Sequence, residues 1–296
     1  MDSIPKKNFE KIREISTTFN GDRIAASEFN EQVHIWNLKD GFIDSFKTNF
    51  QFGGKRLAIA ENGNFFITGS YSSPALIVCT DIESKNERWR RKDIKNCQII
   101  RILKHRDNAL FVSSEKQVTQ LLDTSTGETT LKLTGAHDYY ENDYGVIDLV
   151  ESQSHFALFD RTTNKKIKKF NKLTFALLDG CFSDKSALVA YAGNSLELVN
   201  IESCESRVLP NGTYRSVVFN SDINFFIGIR YYLTGNKFIY LTYINPVTGA
   251  IDNEIKIGQP IVSKFVRKGT QLITSEGLLI NTKDGSLEKT FDFEGH

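Results

Sequence analysis

Along most of this chain, apolar and polar residues alternate in short runs rich in β-branched and aromatic side chains, the signature of half-buried strands. Val33-His-Ile-Trp36, Val118-Thr-Gln-Leu-Leu122, Leu196-Glu-Leu-Val199 and Phe238-Ile-Tyr-Leu-Thr-Tyr-Ile244 are such runs. Each leads through an Asn or Asp and a polar gap into a second run, such as Phe42-Ile-Asp-Ser-Phe46, Thr129-Thr-Leu-Lys-Leu133 or Leu287-Glu-Lys-Thr-Phe291.

The turn between the runs begins at Asn37, Asp81, Asp123, Asp160, Asn200, Asn245 and Asn281, so successive copies lie 36 to 45 residues apart. An Asn or Asp side chain bonds the backbone a couple of residues on and starts a turn. Gly or Asn at its close, as at Gly41, Asn86, Gly127, Asn164, Gly249 and Gly285, accepts the positive φ that a hairpin of this kind requires. A second turn recurs upstream, in Phe19-Asn-Gly-Asp22, Glu61-Asn-Gly-Asn64, Arg106-Asp-Asn108, Phe182-Ser-Asp-Lys185, Phe219-Asn-Ser-Asp222 and Arg267-Lys-Gly-Thr270. Each repeat is therefore four strands, A to D, with hairpins at A–B and C–D.

A period near 40 residues with two hairpins per repeat predicts an all-β fold, a seven-bladed β-propeller of four-stranded antiparallel blades. The whole chain, 1–296, reads as one domain with blades at about 11–48, 55–95, 97–134, 136–171, 173–210, 213–257 and 260–293. Blade 4 is expected to be the least regular, because its A and B strands are hard to separate. Blade 7 owns four strands, so the ring is expected to close by packing of blade 7 against blade 1. Trp36, in a C strand, is expected to be buried between blades.

Val33-His-Ile-Trp36-Asn37 resembles the ending of a WD40 repeat, with Asn in place of the usual Asp. Leu121-Leu-Asp123-Thr-Ser-Thr-Gly127 through Gly135-Ala-His137 is similar to a WD40 repeat boundary, with Leu122 where the Trp would stand. The chain thus looks like a divergent WD40-like propeller. The resemblance implies a rigid platform for protein contacts, although a fold does not by itself assign a function.

Net charge is +1, which gives no whole-molecule attraction to nucleic acid or membrane. Cys79, Cys97, Cys181 and Cys204 fall in different repeats without metal-ligand spacing, and no cofactor or metal is expected. The polar N-terminus is unlike a secretory signal, and no apolar run is long enough to span a membrane, so a cytoplasmic location is expected.

Candidate chemistry divides among three places. Arg13, Arg56, Arg101, Arg215 and Lys264 fall in A strands, which line the axis, and together would make a channel anion site. Glu14, His105, Asp148 and Asp179 are the acids and the histidine that a channel enzyme would use. Arg88-Trp-Arg-Arg-Lys92 and Lys165-Lys-Ile-Lys-Lys169 lie in D strands, where Lys protects an open edge or binds phosphate. The third place is a face rich in tyrosine. Tyr71, Tyr191, Tyr231 and Tyr232 are assigned to B–C connections, and Asp138, Tyr139, Tyr140, Glu141, Asp143 and Tyr144 to the D–A connection after blade 3. Those connections open on one side of a propeller, and exposed tyrosines are frequent binding hot spots.

The expected function is a non-catalytic protein-interaction platform, in one version an inhibitor or immunity-type protein, whose partner is basic at its docking surface. A channel-based small-anion binder or enzyme is one alternative. A phosphoinositide or nucleic-acid reader using the D-strand clusters is another, with nucleic acid the less expected ligand.

Overall fold

A computed structural model describes residues 12–18, 20–28, 32–48, 52–70, 74–94, 97–106, 109–114, 118–174, 177–191, 195–209, 213–231, 238–258, 263–266 and 269–291. The described residues form 28 strands in seven separate four-stranded antiparallel sheets, each built from four consecutive strands. Blade 1 holds β1 (Ile12–Thr17), β2 (Arg23–Glu28), β3 (Gln32–Asn37) and β4 (Gly41–Lys47). Blade 2 holds β5 (Phe52–Ile59), β6 (Phe65–Ser70), β7 (Ala75–Asp81) and β8 (Glu87–Ile94). Blade 3 holds β9 (Cys97–Leu103), β10 (Ala109–Ser114), β11 (Val118–Leu122) and β12 (Thr129–Thr134). Blade 4 holds β13 (Ala136–Tyr140), β14 (Ile147–Ser152), β15 (His155–Asp160) and β16 (Lys165–Asn171). Blade 5 holds β17 (Leu177–Phe182), β18 (Ser186–Tyr191), β19 (Ser195–Asn200) and β20 (Ser206–Leu209). Blade 6 holds β21 (Thr213–Asn220), β22 (Phe225–Tyr231), β23 (Ile239–Ile244) and β24 (Ile251–Gly258). Blade 7 holds β25 (Ser263–Val266), β26 (Gln271–Thr274), β27 (Leu278–Asn281) and β28 (Leu287–Thr290). The protein is a seven-bladed β-propeller.

The C–D turns work as their side chains suggest. Asn37 Oδ1 accepts from Lys39 N at 2.8 Å and Asp40 N at 3.2 Å, and Asp123 and Asn245 bond their own turns in the same way. The fifth residue of every copy has positive φ. In blades 2 and 5 that residue is Lys85 (φ 59°) and Cys204 (φ 57°), so Asn86 does not close its turn. At Gly127 (φ 75°) a side chain is excluded twice over, because a Cβ there would lie 2.7 Å from the Trp89 ring of the preceding blade.

Apolar burial falls between blades, one cluster to each joint. Trp89 and Ile100 belong to the joint of blades 2 and 3, Phe156 and Tyr191 to that of blades 4 and 5. Blades 7 and 1 meet in the same way, through Ile15, Trp36, Val266, Ile273 and Phe291. Lys289 Nζ adds hydrogen bonds to the Leu38 and Lys39 carbonyls of the blade 1 turn, at 2.9 and 3.2 Å. The closing joint is thus built like the other six.

Blade 4, expected to be irregular, has four well-paired strands. Its departure lies in the connection from β13 to β14, residues 141–146. Blade 7 has the shortest strands, four residues each.

Trp36 is 1% exposed and sits in the closing joint. Trp36→Ala should lower stability by about 3–5 kcal/mol, the usual cost of truncating a buried aromatic. Urea unfolding monitored by circular dichroism would measure it; a parent-like midpoint would contradict the packing.

Candidate functional site

The inner strands enclose a cavity of about 460 Å³ that runs along the axis to the A–B turns. Its described lining includes five carboxylates, Glu14, Glu61, Glu141, Asp143 and Asp179, against three cations, Arg101, Arg215 and Lys264.

Of the five basic residues assigned to a channel anion site, Arg101, Arg215 and Lys264 line the cavity, while Arg13 and Arg56 are not part of its described lining. Arg13 and Arg215 are the extra residues of bulges between Ile12 and Glu14 and between Tyr214 and Ser216. Arg56 Nε donates to the Cys97 carbonyl at 2.5 Å, bridging blades 2 and 3. Arg101 makes a two-pronged pair with Asp138, at 2.6 and 2.9 Å, and also lies over the Tyr140 ring. Lys264 remains in the lining with Arg215, among a majority of carboxylates.

The tyrosine face needs correction. Thr134 ends β12 and Ala136 begins β13, so the D–A connection is the single residue Gly135, in the left-handed region at φ 80°. Asp138, Tyr139 and Tyr140 are therefore strand residues, 0%, 2% and 4% exposed. The chain turns at once because Asp138 is drawn inward by Arg101 and the two rings fill inter-blade cores. Tyr191 is also buried, at the end of β18, with its hydroxyl donating to Glu197 at 2.6 Å. None of these three tyrosines offers surface to a partner. Tyr231 ends β22, while Tyr71 and Tyr232 lie outside the described residues.

Glu141, Asp143 and Tyr144 instead belong to the A–B connection of blade 4, on the opposite side of the disc. That loop is held from three blades. Asn142 N donates to Asp148 Oδ1 at 3.0 Å, and Tyr144 N to Asn142 Oδ1 at 2.9 Å. Arg161, from the C–D turn, donates to the Asn142 and Gly145 carbonyls and to both oxygens of Asp148. From blade 3, His105 N donates to Glu141 at 3.0 Å and the His105 ring meets Asp143 at 2.8 Å. The Tyr144 ring crosses to blade 6 and packs edge-on against Phe219, with centroids 5.2 Å apart. Tyr144 and Val146 still leave 38% and 46% of their surface exposed.

Burial pushes the Glu141 carboxyl up to about 7; the His105 amide opposes this and the neighbouring Asp148 charge adds to it. The Arg106 guanidinium and the Asp148 carboxylate share the Tyr139 hydroxyl, at 2.8 and 2.5 Å. This network couples blades 3 and 4 through residues dozens of positions apart. Arg106 and Arg161 escape a reading of the sequence because no local motif marks them.

The four residues named for a channel enzyme are not assembled either. Asp148 is fully buried under Arg161, His105 faces Asp143, and Asp179 accepts from Ser216 Oγ at 2.6 Å and Val217 N at 3.0 Å. Among the described residues no cluster of three or more His, Cys, Asp or Glu is arranged to hold a metal, and no helix is long and apolar enough to cross a membrane. No protein-family model matches the chain, and no curated protein matches it.

The Glu141 carboxyl resists ionisation in the fold, whereas in the unfolded chain it titrates near its ordinary 4.5. Its contribution to stability is therefore fully present below pH 4.5 and is lost as pH rises through about 7. Glu141→Gln keeps an acceptor for the His105 amide and removes the titration. Relative to the parent, its melting temperature should rise between pH 4.5 and pH 8. A difference that does not change with pH would show that Glu141 titrates normally.

Proposed function

We propose that this propeller is a non-catalytic protein-binding platform that takes a basic segment of a partner at the A–B mouth of its channel. The observation that carries the reading is the loop 141–146, pinned by hydrogen bonds to Asp148, Arg161 and His105 yet presenting Tyr144 and Val146 to solvent. A loop already fixed in shape loses little conformational freedom on binding, and a rigid aromatic gives large contact area at small entropic cost.

The carboxylates supply the partner's chemistry. Glu61 and Asp143 border the mouth as carboxylates, beside the Glu141 carboxyl that burial keeps partly protonated near pH 7, while Arg101 deeper in the channel is neutralised by Asp138. A Lys or Arg side chain entering beside Tyr144 would meet negative charge and an aromatic face together. His105 and Lys104 already contact Asp143, at 2.8 and 3.5 Å, so an incoming cation competes with them. Binding is accordingly expected to weaken as salt is added.

Asp143→Asn should leave the melting temperature nearly unchanged, and Tyr144→Ala should lower it modestly, since its ring gives up the contact with Phe219 while the loop keeps its bonds to Asp148 and Arg161. Loss of a hot spot typically costs 2 kcal/mol or more, so Tyr144→Ala should weaken the partner complex about thirtyfold. The check is capture from native lysate with parent and variant side by side, followed by titration of the protein that only the parent retains. Arg215→Ala with Lys264→Ala should bind like the parent. If that pair abolishes binding while Tyr144→Ala is harmless, the function belongs to the channel interior instead.

A further inference from the structure

The outer strand of blade 4 differs from the other outer strands in how its charge is handled. β8 carries Arg88, Arg90 and Arg91, but each is paired to its own neighbourhood, with Asp81, Glu87 and Asp93 respectively. In blade 5, Arg207 reaches the Val247 carbonyl of the next blade, and in blade 7 Lys289 reaches the turn of blade 1. β16 has no such compensation. Lys165, Lys166, Lys168 and Lys169 are all exposed, and among the described residues none has an ion pair or a hydrogen bond from its ammonium group. Among the described residues the other outer strands carry their exposed lysines singly, as Lys47, Lys92 and Lys132.

The edge itself is open. β16 pairs only with β15, so its far side offers unpaired backbone donors and acceptors. A bulge opposite Phe159 shifts the register and leaves Ile167 as the extra residue, 44% exposed among the lysines. Lys166 and Lys169 pair with Phe159 and Ala157, so they lie on the same face of the sheet as His155. His155 is held below its ordinary value by burial first, then by Lys169, Lys166 and Lys172. The positive field of the strand is therefore felt by a titrating neighbour.

Four like charges on one short edge repel a second copy of the same strand, which protects against self-association. The same arrangement favours a strand of opposite charge. We infer that β16 is a docking edge for an acidic, extended peptide segment, which adds as a fifth strand to blade 4. Backbone hydrogen bonds would give affinity, cross-strand Glu–Lys or Asp–Lys pairs would set the preference, and Ile167 would take an apolar residue between them. The edge lacks an exposed aromatic on which bases could stack, since Phe170 is 8% exposed and stacked on Phe156. That favours a peptide over single-stranded nucleic acid.

The test uses the full chain and a synthetic peptide of alternating Glu and Val. Titration should show binding that weakens with salt, amide hydrogen exchange of β16 should slow in the complex, and the His155 ring should titrate at higher pH once the lysines are covered. Lys166→Glu with Lys169→Glu should weaken the peptide at least about tenfold, and Lys166→Gln with Lys169→Gln should fall between, with unchanged melting for both. Tyr144→Ala should bind the peptide as the parent does, which separates this site from the channel mouth. Peptide binding without slowed exchange in β16, no binding of the peptide, or tighter binding of single-stranded DNA or phosphatidylserine vesicles would each overturn the inference.

Discussion

An inner strand of a propeller blade is paired on one side only; its other edge faces the axis, where backbone groups and strand-end polar atoms have no sheet partner. Here the neighbouring blade supplies that partner with side chains. Ser16 Oγ accepts from Ile59 N between blades 1 and 2, and Arg56 donates to the Cys97 carbonyl between blades 2 and 3. Arg101 and Asp138 join blades 3 and 4, while Glu151 accepts from Leu177 N between blades 4 and 5. Asp179 accepts from Ser216 and Val217 between blades 5 and 6, and Asn220 reaches Gly269 and Thr282 between blades 6 and 7. A buried polar group left without a partner costs about 1–3 kcal/mol, so these ties fix how each sheet stands beside the next. Apolar packing between sheets is not directional and could not select one such arrangement by itself.

The same requirement explains why several charged residues near the axis are engaged by the neighbouring blade. A guanidinium on an inner strand is used to satisfy the next blade, as with Arg56 and Arg101. Where a tie is an acid, as with Asp179, backbone amides and a hydroxyl absorb its charge. The rim of the channel is where the strands end and their connections begin. Blade 4 has the six-residue connection there, 141–146, and it is the one that reaches across to Phe219 of blade 6. The proposed binding role follows from that reach.

The period, the blade count and the C–D turns were legible because each rests on local chemistry: an Asx side chain, a left-handed residue, a run of alternating residues. Trp36 was legible for the same reason. The location of Tyr139 and Tyr140 was not. His137-Asp-Tyr-Tyr140 has the polar look of a loop, and only the pairing of Asp138 with Arg101, 37 residues earlier, makes it a buried strand. Once that strand is placed, the connection that follows moves to the other side of the disc, and Tyr144 moves with it. The channel arginines were legible only in part, Arg101 and Arg215 reaching the lining and Arg13 and Arg56 not, for a related reason. Membership of an inner strand does not say which side chains face the axis, because the bulges at Arg13 and Arg215 break the alternation that would decide it.

A net charge of +1 conceals how the charge is distributed. The described channel lining is richer in carboxyl groups than in cations, and the blade 4 edge holds four lysines without a counterion among the described residues. Both features meet in one blade: the inner strand of blade 4 ends in the acidic loop, and its outer strand carries the lysines. The buried Lys172–Glu151 pair, at 2.8 Å, joins the chain just past the outer strand to the second strand, and Glu151 is also the acceptor that ties blade 5 to blade 4. A charge placed on either side of that blade is therefore held by a sheet anchored to both neighbours. Two surfaces of opposite sign can then sit on a small domain without collapsing onto each other, because rigid strands keep them apart. Flexible segments of the same composition would pair internally and leave neither surface for a partner.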